Sequence, residues 1–122
     1  MSYTPPKSAA ELLQRYAAGE RFFAGAELDG QTCDFRGVNL VRVDLSDSFI
    51  VADFRGANLR GANFAASNVK TCDFREADLT GACFANATID ATEFTGAIMD
   101  GADFTGASAQ GYVLKSSELP DW

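Results

Sequence analysis

An apolar residue returns at every fifth position through residues 52–114: Phe54, Leu59, Phe64, Val69, Phe74, Leu79, Phe84, Ile89, Phe94, Met99, Phe104, Ala109 and Leu114. Around each apolar position, written i, the unit usually reads small, Asp or Asn, large, any, Gly. Ala52-Asp53-Phe54-Arg55-Gly56, Ala57-Asn58-Leu59-Arg60-Gly61 and Ala102-Asp103-Phe104-Thr105-Gly106 are examples. Along an extended segment, positions i−2 and i share a face, so both point inward while i−1 faces water. A small residue at i−2 leaves room for the large one at i. Ten of the eleven glycines (25, 30, 37, 56, 61, 81, 96, 101, 106 and 111) fall at i+2, where a corner with positive φ favours glycine.

A corner every five residues predicts a coiled solenoid. Phenylalanine recurs every ten residues, which two-sided or four-sided coils would both produce. Two short sides would press flat and leave no space for stacked rings, so four sides and about 20 residues per coil are expected. The interior then resolves into four columns: Phe35, Phe54, Phe74, Phe94, Leu114; Leu40, Leu59, Leu79, Met99; Phe23, Leu45, Phe64, Phe84, Phe104; and Leu28, then Phe49 or Ile50, Val69, Ile89, Ala109. Two breaks interrupt the period. Two extra residues between Leu28 and Phe35 predict an outward bulge at residues 29–32. Between Leu45 and Phe54 one residue is missing, so either Phe49 or Ile50 enters the core; Ile50, with Ser48 at i−2, is the favoured inward residue. Val41, Phe49 and Val51 would then form an apolar patch.

Ahead of the repeat, Ser8-Ala9-Ala10-Glu11 is a capping-box pattern, in which the Ser8 hydroxyl and Glu11 carboxylate satisfy reciprocal backbone donors. It predicts a helix over residues 9–18, ended by Gly19. So short a helix must dock to be stable, and the open end of the solenoid is the available surface.

The consecutive units resemble the pentapeptide-repeat family, whose unit is A-[DN]-L-x-x, over roughly residues 21–114. That resemblance implies an all-β fold class: a right-handed quadrilateral β-helix of about 4–5 coils with a short N-terminal capping α-helix. The expected division is 1–20 for lead-in and helix, 21–114 for the solenoid and 115–122 for the tail. Some members resemble a DNA duplex in shape and charge and bind type II topoisomerases such as gyrase, and C-terminal dimerisation occurs in the family.

Composition narrows the chemistry. The 122 residues form one domain, and no run approaches the length of a membrane span. Without a secretory leader pattern at the start, and with three cysteines in no paired spacing, a cytoplasmic location is expected. Cys33 and Cys72 occupy small inward positions, and Cys83 sits at i−1. Histidine is absent, which removes the commonest general base and metal ligand. No catalytic, cofactor-binding or metal site is expected, and the chain reads as a non-enzymatic structural or protein-protein interaction module. The net charge of −7 argues against direct nucleic-acid binding and points to a protein partner.

Charge is unevenly placed. Residues 32–75 carry five acids and six bases, with Asp-Phe-Arg repeated at 34–36, 53–55 and 73–75. Residues 76–114 carry Glu76, Asp78, Asp90, Glu93, Asp100 and Asp103 and no base. Those acids, with Val41, Phe49 and Val51, are the candidate interaction surface. At the C-terminal end Leu114, Leu119 and Trp122 are the candidate end cap or dimer contact, Leu119 and Trp122 folding over Met99, Phe104 and Leu114 in a monomer or meeting a second copy in a C-terminal homodimer.

Overall fold

The computed structural model describes residues 2–122, and for residues 30–32 only the path of the backbone. Helix α1 (Ala9–Ala17) opens the chain, followed by strands β1 (Glu27–Asp34) and β2 (Phe49–Asp53), then the short pair β3 (Ser108–Ala109) and β4 (Tyr112–Val113). Between β2 and β3 the chain alternates single bridge residues with corners. Parallel bridges join each coil to the next along four sides; Phe22, Asp44, Asn63, Cys83 and Asp103 form five rungs of one of them. From Asp44 upward these rungs lie 19 or 20 residues apart, so the chain is a solenoid.

The corners explain the sequence unit. In most, the N–H at i+3 donates to the carbonyl of the apolar residue i, as Ala57 does to Phe54 (3.0 Å) and Ala82 to Leu79 (3.0 Å); after Phe23 and Leu45 it goes instead to a serine hydroxyl, Ala26 N–H to Ser48 Oγ and Ser48 N–H to Ser67 Oγ (both 3.0 Å). The third residue of this turn takes positive φ, which glycine adopts without strain. Seven corners nevertheless place Arg42, Asp47, Ala66, Thr71, Glu76, Asn86 or Ala91 there, with φ between 54° and 65°. Stacking supplies the rest of the backbone bonds: Phe54 N–H donates to Asp73 O (2.8 Å) and Phe64 N–H to Cys83 O (2.7 Å), one coil onward.

Inside, Phe35, Phe54, Phe74 and Phe94 stack with centroids 4.9–5.5 Å apart, and Phe64, Phe84 and Phe104 stack at 4.9 and 4.7 Å. The two ladders meet edge to face across the core at 5.4–5.8 Å. Both arrangements suit the ring quadrupole, and each pair adds about 0.5–1.5 kcal/mol beyond the burial of its area. Leu40, Leu59 and Leu79 fill the side between, and Leu28, Ile50, Val69 and Ile89 fill the side opposite. Buried hydroxyls and thiols at i−2 find partners in the coil below: Ser67 Oγ donates to Leu45 O (2.5 Å), Cys72 Sγ to Ile50 O (3.2 Å) and Thr92 Oγ1 to Val69 O (2.8 Å).

Ile50 is the inward residue, fully buried, with Phe49 half-buried and Val51 outward. Phe54 follows Ile50 by four positions instead of five, so β2 runs straight through what is elsewhere a corner, consistent with the strand preference of Ile50 and Val51. It pairs in parallel with β1, whose register shifts between Leu28 and Cys33 to absorb the additional residues. Asp29 is exposed there. The side chains of 30–32, named with it as a bulge, lie outside the described residues.

Helix α1 starts at Ser8, whose Oγ accepts the Glu11 N–H at 3.0 Å. The reciprocal half of the capping box is displaced: the Glu11 carboxylate accepts from Lys7 N–H (3.3 Å), not from Ser8, because it also reaches Arg15 at 2.9 Å. Leu12 is fully buried against the first coil, Tyr16 donates its hydroxyl to Val41 O at 2.8 Å, and the Arg21 guanidinium lies 3.7 Å over the Tyr16 ring. The helix covers the lower end of the core.

The upper end departs from the five-residue period. Gln110 and Gly111 both have positive φ (51° and 86°), which makes them the two-residue loop of a hairpin between β3 and β4. The chain reverses, and Leu114 returns over the third column: its N–H donates to Ala107 O (2.8 Å) and its carbonyl accepts from Gly106 N–H (2.9 Å). Leu114 is therefore buried, but it is not the fifth rung of the first column. That place is taken by the tail, where Trp122 O accepts from Phe94 N–H at 2.7 Å. Pro120 is buried in the crossing, while Leu119, expected to fold over the core with Trp122, is 45% exposed.

Candidate interaction surfaces

At i−1, the position read from sequence only as water-facing, the short acid or amide side chain has a structural task. Its Oδ1 accepts the backbone N–H at i+1 and so fastens the start of the corner. Asp34 holds Arg36 (3.0 Å), Asp44 holds Ser46 (2.9 Å), Asn63 holds Ala65 (2.9 Å) and Asp73 holds Arg75 (3.0 Å). Such Asx bonds are a property of short Asp and Asn side chains, and the recurrence of those two residue types was the available signal.

The repeated Asp-Phe-Arg units build a staircase on the outer surface. Each arginine binds the aspartate of its own coil and leans on the acid of the next. Arg36 reaches Asp34 (2.8 Å) and Asp53 (3.9 Å), Arg55 reaches Asp53 (2.7 Å) and Asp73 (3.7 Å), and Arg75 reaches Asp73 (2.7 Å) and Glu93 (3.4 Å). The guanidinium hydrogen bonds hold Asp34, Asp53 and Asp73 below the usual carboxylate range.

Most of the singled-out acids already have partners within the chain. Asp78 accepts from Arg60 (3.1 Å) and from the Thr80 hydroxyl and N–H (2.6 and 3.1 Å); the Thr80 and Arg60 bonds lower its pKa. Glu93 leans on Arg75, Asp103 fastens Thr105 (2.9 Å), and Asp90 accepts the Gln110 N–H at 2.6 Å. The Glu76 carboxylate overlies Gly96, where an added Cβ would lie 2.5 Å from its Oε2. Asp100 is exposed.

Val51 is 37% exposed on the outer face of β2, beside half-buried Phe49. Val41 stands apart from them, half-buried, with its carbonyl engaged by Tyr16. At the upper end Tyr112, Val113, Leu119 and Trp122 are 39–55% exposed, and a cavity of about 300 Å³ opens between Ala91, Ala109, Gln110, Tyr112 and Trp122.

The three cysteines are free. Burial pushes the Cys33 thiol up and the Cys72 thiol up to about 12, so both behave as small apolar residues. Among the described residues no group of three or more acidic or cysteine side chains is placed to hold a metal ion, and no helix is long and apolar enough to cross a membrane.

Against known families, the description Pentapeptide repeats (8 copies) matches residues 52–89 and 72–111. The chain belongs to the pentapeptide-repeat family. Among solved structures it is similar to the pentapeptide repeat protein alr5209 from Nostoc Pcc 7120, at 29% identity over 96% of this chain and 93% of that one, with a TM-score of 0.52. Rfr23, a pentapeptide repeat protein from the cyanobacterium Cyanothece 51142, is similar at 14% identity over 75% of this chain and 64% of that one (TM-score 0.52). QnrB1, a plasmid-mediated fluoroquinolone resistance protein, is similar at 18% identity over 70% of this chain and 47% of that one (TM-score 0.57). The last two are likenesses of fold. No curated protein matches the sequence.

Proposed function

We propose that this pentapeptide-repeat protein is a non-enzymatic structural or protein-protein interaction module, built as a right-handed quadrilateral β-helix of about four to five coils. Four bridged sides support the quadrilateral section, and the handedness follows the general chirality of connections between parallel strands. Residues 1–20 would be the lower cap and the solenoid would start at residue 21. We place the closing segment from the hairpin at Gln110 onward, not from 115. Three free thiols suit a cytoplasmic setting.

The observation that carries the reading is how the polar side chains are spent. The Asp and Asn side chains at i−1 fasten corners, those at i−2 satisfy buried carbonyls, and eight phenylalanines fill the axis. What remains for function is outer surface: Val51 and Phe49 on β2, the acids Glu76 and Asp100, and the upper end. Native complexes isolated with the wild-type chain should contain a protein partner. That partner should be lost with Phe49→Ser/Val51→Ser, with Glu76→Gln/Asp100→Asn, or with Trp122→Ala. A chain that recovers no partner in any form would remove the reading.

A second reading, in which the acidic surface mimics DNA and engages a type II topoisomerase such as gyrase, is favoured by the fold likeness to QnrB1 and the net charge of −7. Against it, the arginine staircase neutralises one corner across three coils. A gyrase supercoiling assay unchanged at saturating protein would exclude it.

A further inference from the structure

The fourth interior column narrows at its top. Leu28, Ile50, Val69 and Ile89 fill successive rungs, but the next is Ala109, and the chain then turns back through Gln110 and Gly111. Beside this end a surface recess of about 300 Å³ opens between Ala91, Ala109, Gln110, Tyr112 and Trp122. Its floor is two alanines, and the rings of Tyr112 and Trp122, 48% and 39% exposed, form its aromatic lining. An apolar recess lined by aromatics is the usual seat of a buried anchor residue.

Charge selects the kind of anchor. Asp90 accepts the Gln110 N–H, Glu118 accepts the Tyr112 hydroxyl through both oxygens (2.9 and 2.8 Å), and Asp121 adjoins Trp122. Hydrogen bonds from Lys115 N–H and Tyr112 hold Glu118 below the usual carboxylate range, so it is charged at neutral pH. Lys115 lies 5.9 Å from the Tyr112 ring, beside these carboxylates. A second copy would bring its own carboxylates and a net charge of −7 against this end, whereas a basic chain would be drawn to it.

We propose that this pocket receives one large apolar or aromatic side chain carried on a basic segment of a partner protein. The inference rests on the interaction-module reading and names the site and the chemistry of its partner. The aromatic walls supply contact area, and the surrounding carboxylates pair with lysine or arginine on either side of the anchor.

Trp122 is the only tryptophan, so its emission reports on the pocket directly. The full chain is titrated with a five-residue peptide amide carrying phenylalanine between two pairs of arginines. Two control peptides replace the phenylalanine by alanine or the arginines by glutamates. A saturable emission change is expected with the first peptide, weaker by about tenfold or more with either control and weakened by salt. Ala109→Leu should fill the recess and abolish the response. Should that variant fail to fold, Asp90→Asn/Glu118→Gln should weaken binding of the arginine peptide selectively. Equal responses to all three peptides, or none at millimolar concentration, would overturn the proposal. So would an emission change on diluting the protein alone that tracks a halving of mass in light scattering, since that assigns the recess to a second copy. A null result here alongside a partner captured through Phe49 and Val51 would dismiss the pocket and leave the module reading intact.

Discussion

From Asp34 to Thr80 the corners are fastened by an Asp or Asn at i−1, apart from the position of Phe49, and four arginines (36, 55, 60 and 75) tie successive coils together. Between Cys83 and Ile98 the same position holds Cys83, Thr88, Glu93 and Ile98, and the fastening bonds are missing until Asp103. Yet the core is continuous through both regions, with Phe74, Phe84, Phe94 and Phe104 buried to 1% or less. Stacked rings and inter-coil backbone bonds therefore suffice to shape the upper coils. The side-chain fastenings add stiffness to the lower ones, at about 0.5–1.5 kcal/mol for each hydrogen bond.

The largest test of this contrast lies in the core itself. Phe74 stacks on two rings and meets two more edge to face, whereas Phe104, on the last rung, has one of each. Phe74→Ala should cost about 3–5 kcal/mol in urea unfolding and Phe104→Ala distinctly less. Equal losses would mean that the top rung is packed as tightly as the middle.

Fastenings come next in size. Asn63→Ala should lose about 1 kcal/mol, while Cys83→Asn, one coil above on the same side, should gain a similar amount and slow amide exchange in the upper coils. If Cys83→Asn leaves exchange unchanged, the two regions do not differ in stiffness for the reason given.

A smaller effect is expected at two corners of the fourth column, Thr71 (φ 65°) and Ala91 (φ 56°). A β-branched residue pays more than alanine for the left-handed region. Thr71→Gly should therefore raise stability by about 0.5–1 kcal/mol, and Ala91→Gly by less. Thermal midpoints measured side by side would show whether the ranking holds.

The weakest lever is acid. Asp34, Asp53 and Asp73 have pKa values below those of the unfolded chain because of Arg36, Arg55 and Arg75. Their stabilisation is complete above the unfolded value of about 3.9 and is lost as pH falls through the lower folded values. Arg55→Gln should flatten that part of the decline. An unchanged pH profile would show the staircase to be energetically idle, as exposed ion pairs often are.

What was legible in the sequence follows burial. Residues Phe54 to Phe104 appear in their columns because a five-residue period leaves a large side chain no place but the axis, and Ile50 was favoured on the fit of Ser48 behind it. The i−1 fastenings were missed because polarity alone was read there, not the reach of a short side chain to its own backbone. Leu114 was misplaced for a different reason. Gly111 satisfies the repeat's corner pattern, but Gln110 also takes positive φ, and two such residues in succession reverse a chain that one alone would merely bend. Of the candidate surface, the acids were readable as residues, but their pairing with Arg60, Arg75 and Gln110 depends on coils 18 to 20 residues away.

That reversal also bears on length. Each coil presents to the next the same backbone edge that it received from the one before, so the repeat behaves like a growing polymer with no preferred number of units. Gln110 and Gly111 act as its chain stopper, laying an antiparallel segment where a parallel one would continue. Whole coils thus resemble interchangeable cassettes between two fixed ends. Inserting or deleting one about twenty residues long between Ala57 and Phe104 should change the height of the rod without disturbing either end.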